Sequence, residues 1–162
     1  MSVQLSITRE LLASTAVDDL ERLLTNYVFD LQKNDPDKLD SLPVGIQDVF
    51  IIASLDADVV NGGFNQYLFN SPAFALDAPS AFRNFGLHDA ASLAEQALER
   101  FDSRVRERHA AARAAGTMEA FMATYQDDPF TTLNKRYWAN SEHWRVQRIA
   151  YIRQHADEFL HD

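Results

Sequence analysis

Residues 59–71, VVNGGFNQYLFNS, constrain the fold of this chain more than any other stretch. They hold two of the five glycines, side by side, between a long apolar segment and a cluster of aromatic and amide side chains. Glycine adopts backbone conformations past a helix end that other residues resist. The stretch therefore predicts that one buried helix stops at Asn61-Gly62-Gly63, that the chain turns, and that a second buried helix begins at Phe64.

Apolar side chains recur at helical spacing along the rest of the chain, and no segment alternates as a strand does. The strongest patterns cover residues 8–33, 43–60 and 90–101. In residues 43–60 the stripe through Ile46, Val49 and Val60 is widened by neighbouring apolar residues, so we expect this helix to lie centrally. The patterns predict an all-α fold, a single globular domain of roughly seven to nine helices over residues 1–162.

Capping residues set the expected helix boundaries. Thr15 followed by Asp18 resembles a capping box, and Ser41 is a candidate cap for the helix that Pro43 opens. Ser141 is expected to cap a separate last helix. These residue types are favoured at helix starts because a short polar side chain accepts a hydrogen bond from an otherwise unpaired backbone N–H.

Residues 103–114, SRVRERHAAARA, are basic and rich in alanine, with Val105 as the single large apolar residue. This composition predicts an exposed helix that stops at Gly116, followed by a helix capped by Thr117. Its arginines and those beside it alternate with acidic residues and lack interleaved aromatic residues. We interpret them as a solvated face and expect no direct contact with nucleic acid.

The composition excludes several kinds of functional site. The absence of cysteine excludes disulfides, thiolate zinc sites and a cysteine nucleophile. The glycines do not form a phosphate-binding loop or a nucleophile elbow. His155 with Glu158 and Asp157 with His161 have helical spacing, which indicates salt bridges at a solvated helix end more than a metal site. We expect no cofactor, no metal and no catalytic residue. Without a signal-peptide pattern or a membrane-spanning run, we expect a cytoplasmic protein.

The negative charge is concentrated in the first half of the chain. Residues 1–80 contain 12 acidic and 4 basic residues, a net charge of −8, whereas residues 81–162 contain 12 and 11, a net charge of −1. Seven aspartates fall within 29 residues and are opposed there only by Lys33 and Lys38. They are the candidate partner-binding residues: Asp30, Asp35, Asp37, Asp40, Asp48, Asp56 and Asp58. Carboxylates in such a group could imitate a row of DNA phosphates and attract a basic protein.

Residues 59–71 resemble a motif of a bacterial family of all-helical domains typified by a DNA-mimic protein. The matching residues are Asn61, Gly62, Gly63, Phe64, Gln66, Tyr67, Phe69, Asn70 and Ser71. A softer match follows at Leu133, Tyr137 and Trp138, so the similarity covers about residues 45–160, after a helical extension over 8–40. The resemblance implies an all-helical fold. For the typifying member it also implies binding to a helix-turn-helix transcription regulator through an acidic surface shaped like DNA.

Two functions of different class follow. The first is a non-enzymatic interaction domain, monomeric or homodimeric, whose acidic residues bind a basic DNA-binding protein, with no membrane contact. In it the motif residues Asn61, Gly62, Gly63, Phe64, Gln66, Tyr67 and Asn70 are structural. The alternative is a small-molecule binder or enzyme with a polar pocket at the turn over residues 61–71, and an enclosed cavity meeting Gln66 and Asn70 would favour it. Nothing in the sequence separates the first function from a purely structural subunit or an accessory protein of a toxin system.

Overall fold

The computed structural model describes residues 6–162, and this part of the chain is all-α, as the sequence predicts. Within it lie nine α-helices: α1 (Arg9–Ser14), α2 (Leu20–Asn34), α3 (Val44–Asn70), α4 (Pro72–Ala75), α5 (Ala78–Asn84), α6 (His88–Arg100), α7 (Ser103–Ala115), α8 (Met118–Ala123) and α9 (Thr131–Gln154). Short 3₁₀ segments cover Val17–Asp19, Pro36–Ser41 and Ala156–Phe159. The only extended pairing among the described residues is an isolated antiparallel bridge between Ile7 and His161.

Helix α3 is the centre of the fold, as its apolar composition predicts. It packs against α2, α4, α5, α9 and the 3₁₀ segment Ala156–Phe159. Its buried stripe, however, runs through Ile46, Ile52 and Val59, whereas Val60 is exposed. Because the helix is apolar on most sides, its neighbours and not its own pattern select the face that is buried most deeply.

The break in α3 confirms the helix end expected at the paired glycines. Gly62 and Gly63 both lie outside the helical region, and α3 consists of two helical halves, 44–61 and 64–70, joined by a kink. Gly63 has φ +74° and ψ −178°, a region that is essentially restricted to glycine. The sequence pattern therefore located the kink correctly to the residue.

Three of the expected helix caps are wrong. Thr15 follows α1 and its hydroxyl donates to the Leu11 carbonyl, while Thr8 is the residue that caps α1. The Ser41 hydroxyl donates to the Lys38 carbonyl, and Pro43 itself precedes the first turn of α3. Each hydroxyl completes the preceding turn, because it can reach a carbonyl three or four residues back as readily as a later N–H.

Ser141 caps no helix either, since α9 runs without interruption from Thr131 to Gln154. At the start of the α8 helix, by contrast, Thr117 accepts from the Ala120 N–H, and Gly116 ends α7 in the left-handed conformation, as predicted. A serine inside a long helix is tolerated when its hydroxyl bonds back along the helix, as Ser141 does with the Trp138 carbonyl.

The proposed pairing of His161 with Asp157 is not formed. The His161 ring lies 2.6 Å from the Tyr27 hydroxyl and 2.9 Å from the Ser41 hydroxyl, which joins the last residues to α2 and the following 3₁₀ segment. Asp157 instead pairs with Arg9. The Ile7–His161 bridge brings the two ends of the described chain together, a contact between residues far apart in sequence.

Candidate functional site

Four of the seven candidate aspartates lie close together in sequence at the end of α2 and in the 3₁₀ segment after it. Asp30, Asp37 and Asp40 are exposed, and Asp35 is half-buried. Within residues 6–162, none of these four carboxylates receives a hydrogen bond or forms an ion pair. Lys38, which lies between them, directs its Nζ atom to the Asp162 carbonyl at 3.2 Å. Segment 30–40 therefore carries four carboxylates that have no hydrogen-bond or ion-pair partner among the described residues, against the two cations Lys33 and Lys38.

The other three aspartates are engaged inside the molecule. Asp58 accepts hydrogen bonds from Gln66 Nε2 and Asn70 Nδ2, both at 2.9 Å. Asp56 accepts from the Tyr137 hydroxyl at 2.8 Å, and burial raises the pKa of Asp56 although this hydrogen bond and Arg148 oppose the shift. Asp48 is 7% exposed and accepts from Asn84 Nδ2 at 2.8 Å. The seven residues therefore form no single surface group.

The kink leaves backbone groups without helical partners, and side chains from the last third of the chain supply those partners. Asn134 Oδ1 accepts from the Phe64 N–H at 2.9 Å and so acts as the N-cap of the second half of α3. On the other side of the kink, the Tyr125 hydroxyl donates to the Gly62 carbonyl, and Trp138 Nε1 donates to the Val59 carbonyl. Of these side chains Trp138 belongs to the softer match at residues 133–138, and Asn134 lies within the same stretch, so this part of α9 packs against the kink.

The amide side chains of the motif join the two halves of α3 across the kink. Asn61 Nδ2 donates to Gln66 Oε1 at 3.0 Å, and Gln66 and Asn70 both donate to Asp58. Phe64 and Tyr67 are buried in the core. Every motif position that was named from the sequence thus has an internal contact or a place in the core.

A buried series of hydrogen bonds beside the kink was not predicted from the sequence. His109 Nε2 lies 2.9 Å from Asn65 Oδ1, Asn65 Nδ2 donates to the Thr124 hydroxyl at 2.8 Å, and this hydroxyl donates to the Phe121 carbonyl. The direction of the last two bonds makes His109 Nε2 the donor of the first. His109 and Asn65 are fully buried, so the series fastens α7 and the end of α8 to α3.

His109 also corrects the interpretation of α7 as a wholly exposed helix. Val105, His109 and Ala112 are buried, whereas the rest of the helix faces solvent. Their spacing of four and three residues is the signal that could have shown this face. Burial lowers the pKa of His109 to about 4, and the charges of Arg113 and Arg108 contribute to the shift, whereas the Leu68 carbonyl opposes it.

An open cleft of about 470 Å³ adjoins the motif between α3, α7 and α8. Gln66 and Asn70 lie at its edge, and the remaining lining is largely apolar, with Phe69 and Phe121 as its aromatic walls. The Arg113 guanidinium lies over the Phe69 ring, 5.1 Å from the ring centre. Both amides already donate to Asp58, so the polar groups of the motif are directed mainly into the fold and not into the cleft.

No group of three or more histidine, cysteine, aspartate or glutamate side chains suited to a metal ion occurs in the described part of the chain. In residues 6–162, no helix has both the length and the apolar composition that a membrane crossing requires.

Comparison with curated proteins and with solved structures gives no match. The model of one family, described as DMP19-like protein, matches residues 40–155. The match includes the kinked helix α3, the side chains of α9 that complete the kink, and the aspartates from Asp40 onward, and it covers well over half of the sequence. The chain belongs to the DMP19-like protein family.

Proposed function

We propose that this chain is a non-enzymatic interaction domain that acts as a DNA mimic and binds a basic DNA-binding protein, such as a helix-turn-helix transcription regulator. The observation that carries the proposal is the segment 30–40, where the carboxylates of Asp30, Asp35, Asp37 and Asp40 have no hydrogen-bond or ion-pair partner among residues 6–162. Membership of the DMP19-like family supports it: the family match begins at residue 40 and includes Asp40. The resemblance of residues 61–71 implies that the typifying member binds such a regulator.

The local geometry of this segment suits the proposed role. Asp37 and Asp40 are three residues apart in the 3₁₀ segment Pro36–Ser41, and side chains at this spacing project from the same side of such a helix. Their separation along the 3₁₀ axis is about 6 Å, and successive phosphates of one DNA strand are displaced by about 3.4 Å along the duplex axis. Two carboxylates on one side at this distance can contact two neighbouring basic side chains of a protein that normally binds a DNA backbone.

Asp48, Asp56 and Asp58 have no part in this surface. Their carboxylates accept hydrogen bonds from Asn84, Tyr137 and the motif amides. A carboxylate that is already hydrogen-bonded inside the fold offers less to a partner, and its removal would disturb the fold. The proposal is therefore limited to the four aspartates of segment 30–40.

The test compares two variants of equal charge against a panel of purified helix-turn-helix regulators. One variant neutralises the segment (D30N, D35N, D37N and D40N), and the control neutralises four exposed acidic residues of the second half (E99Q, E107Q, E119Q and D127N). We expect at least one regulator of the panel to bind the wild-type chain, with an affinity that falls as the salt concentration rises. The first variant should weaken this binding at least about tenfold and the control less than about threefold.

Competition with DNA separates mimicry from binding elsewhere on the regulator. Duplex DNA carrying the regulator's own site should displace the chain, because a mimic occupies the DNA-binding face. A stable ternary complex of chain, regulator and DNA would contradict the proposal. So would equal loss of binding in the two variants, or a panel in which no regulator binds.

A second candidate function rests on the cleft beside the motif. Its volume of about 470 Å³ and its aromatic walls suit a small, largely apolar ligand, and Arg113 at its edge suits a ligand with a carboxylate. Titrating a labelled chain with a library of aromatic carboxylates and following the amide signals of Gly116 and Thr117 by NMR tests it. Saturable shifts that disappear in Arg113→Gln would favour this function over the first.

A further inference from the structure

A second cavity lies on another part of the molecule, where α3, α5, the end of α9 and the 3₁₀ segment Ala156–Phe159 meet. Its volume is about 380 Å³. Val44 and Gly45 of α3 form its edge, three aromatic rings form its walls, and carboxylates of two separate elements face it. Neither the proposed role of segment 30–40 nor the cleft beside the motif involves it.

The carboxylate of Asp48 lines this cavity although the residue is 7% exposed. Asn84 Nδ2 reaches its Oδ2 atom at 2.8 Å, and within residues 6–162 no other hydrogen bond and no ion pair reaches this carboxylate. Burial raises the pKa of Asp48, the hydrogen bond from Asn84 opposes this, and the charge of Asp77 adds to it. A charged carboxylate in such a place is usually paired with a cation, and Asp48 has no cationic partner among residues 6–162.

A second carboxylate stands at the rim. Glu158 Oε2 accepts from the Tyr151 hydroxyl at 2.9 Å, and the exposed Glu158 side chain forms no ion pair within the described residues. The nearest arginine on α5, Arg83, is paired with Glu95 instead. Among the described residues, the cavity is therefore lined by two carboxylates and by no lysine or arginine.

The aromatic walls indicate which kind of cation fits. Phe85 and Tyr151 meet edge to face with 5.0 Å between ring centres, and Phe85 and Phe159 stack at 6.2 Å. Aromatic faces attract organic cations that are easily desolvated, whereas Mg²⁺ and Ca²⁺ keep a shell of oxygen ligands and water that aromatic rings cannot replace. A guanidinium is planar, stacks on aromatic rings and donates two parallel hydrogen bonds to a carboxylate.

We propose that this cavity binds a guanidinium group, with Asp48 as its buried carboxylate partner, Glu158 at the rim, and the Phe85 and Tyr151 rings as its walls. The group is either that of a free small molecule or that of an arginine side chain from a bound protein. The site does not depend on segment 30–40, so the failure of either proposal leaves the other standing.

The test uses the full chain, labelled with ¹⁵N, and a matched pair of probes. N-acetylarginine amide carries the guanidinium, and N-acetylcitrulline amide replaces it with a neutral urea of the same shape. We expect saturable shifts of the Gly45 amide and the Asn84 side-chain amide with the arginine probe, with a Kd of about 1 mM, and at least about tenfold weaker binding of the citrulline probe. No saturation with arginine, or equal binding of citrulline, would overturn the proposal.

Two variants locate the site. Asp48→Asn keeps the shape of the side chain and its hydrogen bond from Asn84, and should weaken binding of the arginine probe at least about tenfold. Asp30→Asn removes the same charge from an exposed position and should change the Kd less than about twofold. As a check that needs no variant, the carboxyl carbon of Asp48 should titrate at a lower pH when the arginine probe is bound. An unchanged Kd in Asp48→Asn, or an unchanged titration, would assign the binding elsewhere.

A second pair of probes decides the source of the guanidinium. A neutral peptide with one central arginine represents a protein side chain, and butylguanidinium represents a free small molecule. If the peptide binds at least as tightly, the cavity accepts an arginine that projects from a partner. If only butylguanidinium saturates, the rim excludes a polypeptide and the ligand is a small molecule.

Discussion

Gly63 is the residue on which the centre of the fold depends. Its φ of +74° combined with a ψ of −178° belongs to a region that residues with a Cβ avoid. A Cβ added there would also overlap the Asn134 side chain, which caps the second half of α3. The backbone geometry and the close approach of α9 therefore both require glycine at this position.

Gly63→Ala should lower the free energy of unfolding by more than about 3 kcal/mol, because backbone strain and displacement of Asn134 act together. The matched control is Gly86→Ala, since Gly86 has the same φ of +74° but no atom within 4 Å of an added Cβ. That control should cost only about 1–2 kcal/mol. Urea unfolding of the three proteins measures both values, and equal losses would show that Asn134 contributes nothing to the requirement for glycine.

The sequence predicts the kink but not the side chains that complete it. Paired glycines are a local signal, readable from residues 61–63 alone. Asn134 lies 70 residues away, and an asparagine within a helical pattern is normally a surface residue, so its Oδ1 bond to the Phe64 N–H depends entirely on how α9 packs. Local patterns determine where a helix breaks, whereas tertiary packing determines what pairs with the broken ends.

Among the elements, α7 is the one whose environment the sequence predicts least well. Most of its residues are arginine, glutamate or alanine, which favours an exposed helix, and the helix is indeed exposed on most sides. Its attachment depends on His109, a residue type that is usually half-exposed, and only the helical spacing of His109 with Val105 and Ala112 signals its burial. The directional chain from His109 through Asn65 to Thr124 then holds both α7 and α8 against α3.

This attachment should make stability depend on pH. Because the pKa of His109 is about 4 in the folded protein, below the ordinary histidine value of 6.5 that applies to the unfolded chain, the unfolded chain binds a proton at a higher pH than the folded one. The contribution of neutral His109 is complete above pH 6.5 and is lost as the pH falls toward 4. A shift of this size corresponds to about 3 kcal/mol.

His109→Gln tests the dependence, since glutamine can still donate to Asn65 Oδ1 but does not titrate. The free energy of unfolding, measured in urea at intervals from pH 7 to pH 4, should fall less steeply in this variant than in the wild-type protein. His143→Gln, at an exposed position on α9, is the control and should follow the wild-type curve. If the curves of His109→Gln and the wild-type protein are parallel, His109 is not the residue that causes the fall.

At the scale of the whole molecule, residues before the region matched by the family model are part of its core. Glu21 of α2 accepts from Arg148 of α9 at 2.6 Å and 3.3 Å, and Arg148 is fully buried. Asp56 and Tyr137 lie close enough to contribute to the electrostatic environment of this guanidinium. The sequence indicates the helical pattern of each element but not this pair, because ionic residues 127 positions apart leave no local signal.

The pair of Arg148 and Glu21 predicts how stability changes when one or both of its charges are removed. Removing one partner leaves the other as an unpaired buried charge. Arg148→Met and Glu21→Met should therefore each lower the free energy of unfolding by about 3–5 kcal/mol. The double variant leaves no unpaired charge and should recover most of the loss, to within about 2 kcal/mol of the wild-type protein. Arg22→Met, which removes an exposed partner of Asp19, is the control and should cost under about 1 kcal/mol.

The double-mutant cycle then shows whether the contact between α2 and α9 stabilises the fold. A coupling free energy of several kcal/mol between positions 21 and 148 would mean that α2 and α9 stabilise each other through the centre of the molecule. Segment 30–40 begins near the end of α2 and continues into the following 3₁₀ segment, so the same pair would fix the surface from which its carboxylates project. Additive losses in the cycle would instead show that α2 is held by apolar contacts with α3 alone, and that Arg148 finds compensation from Asp56 when Glu21 is absent.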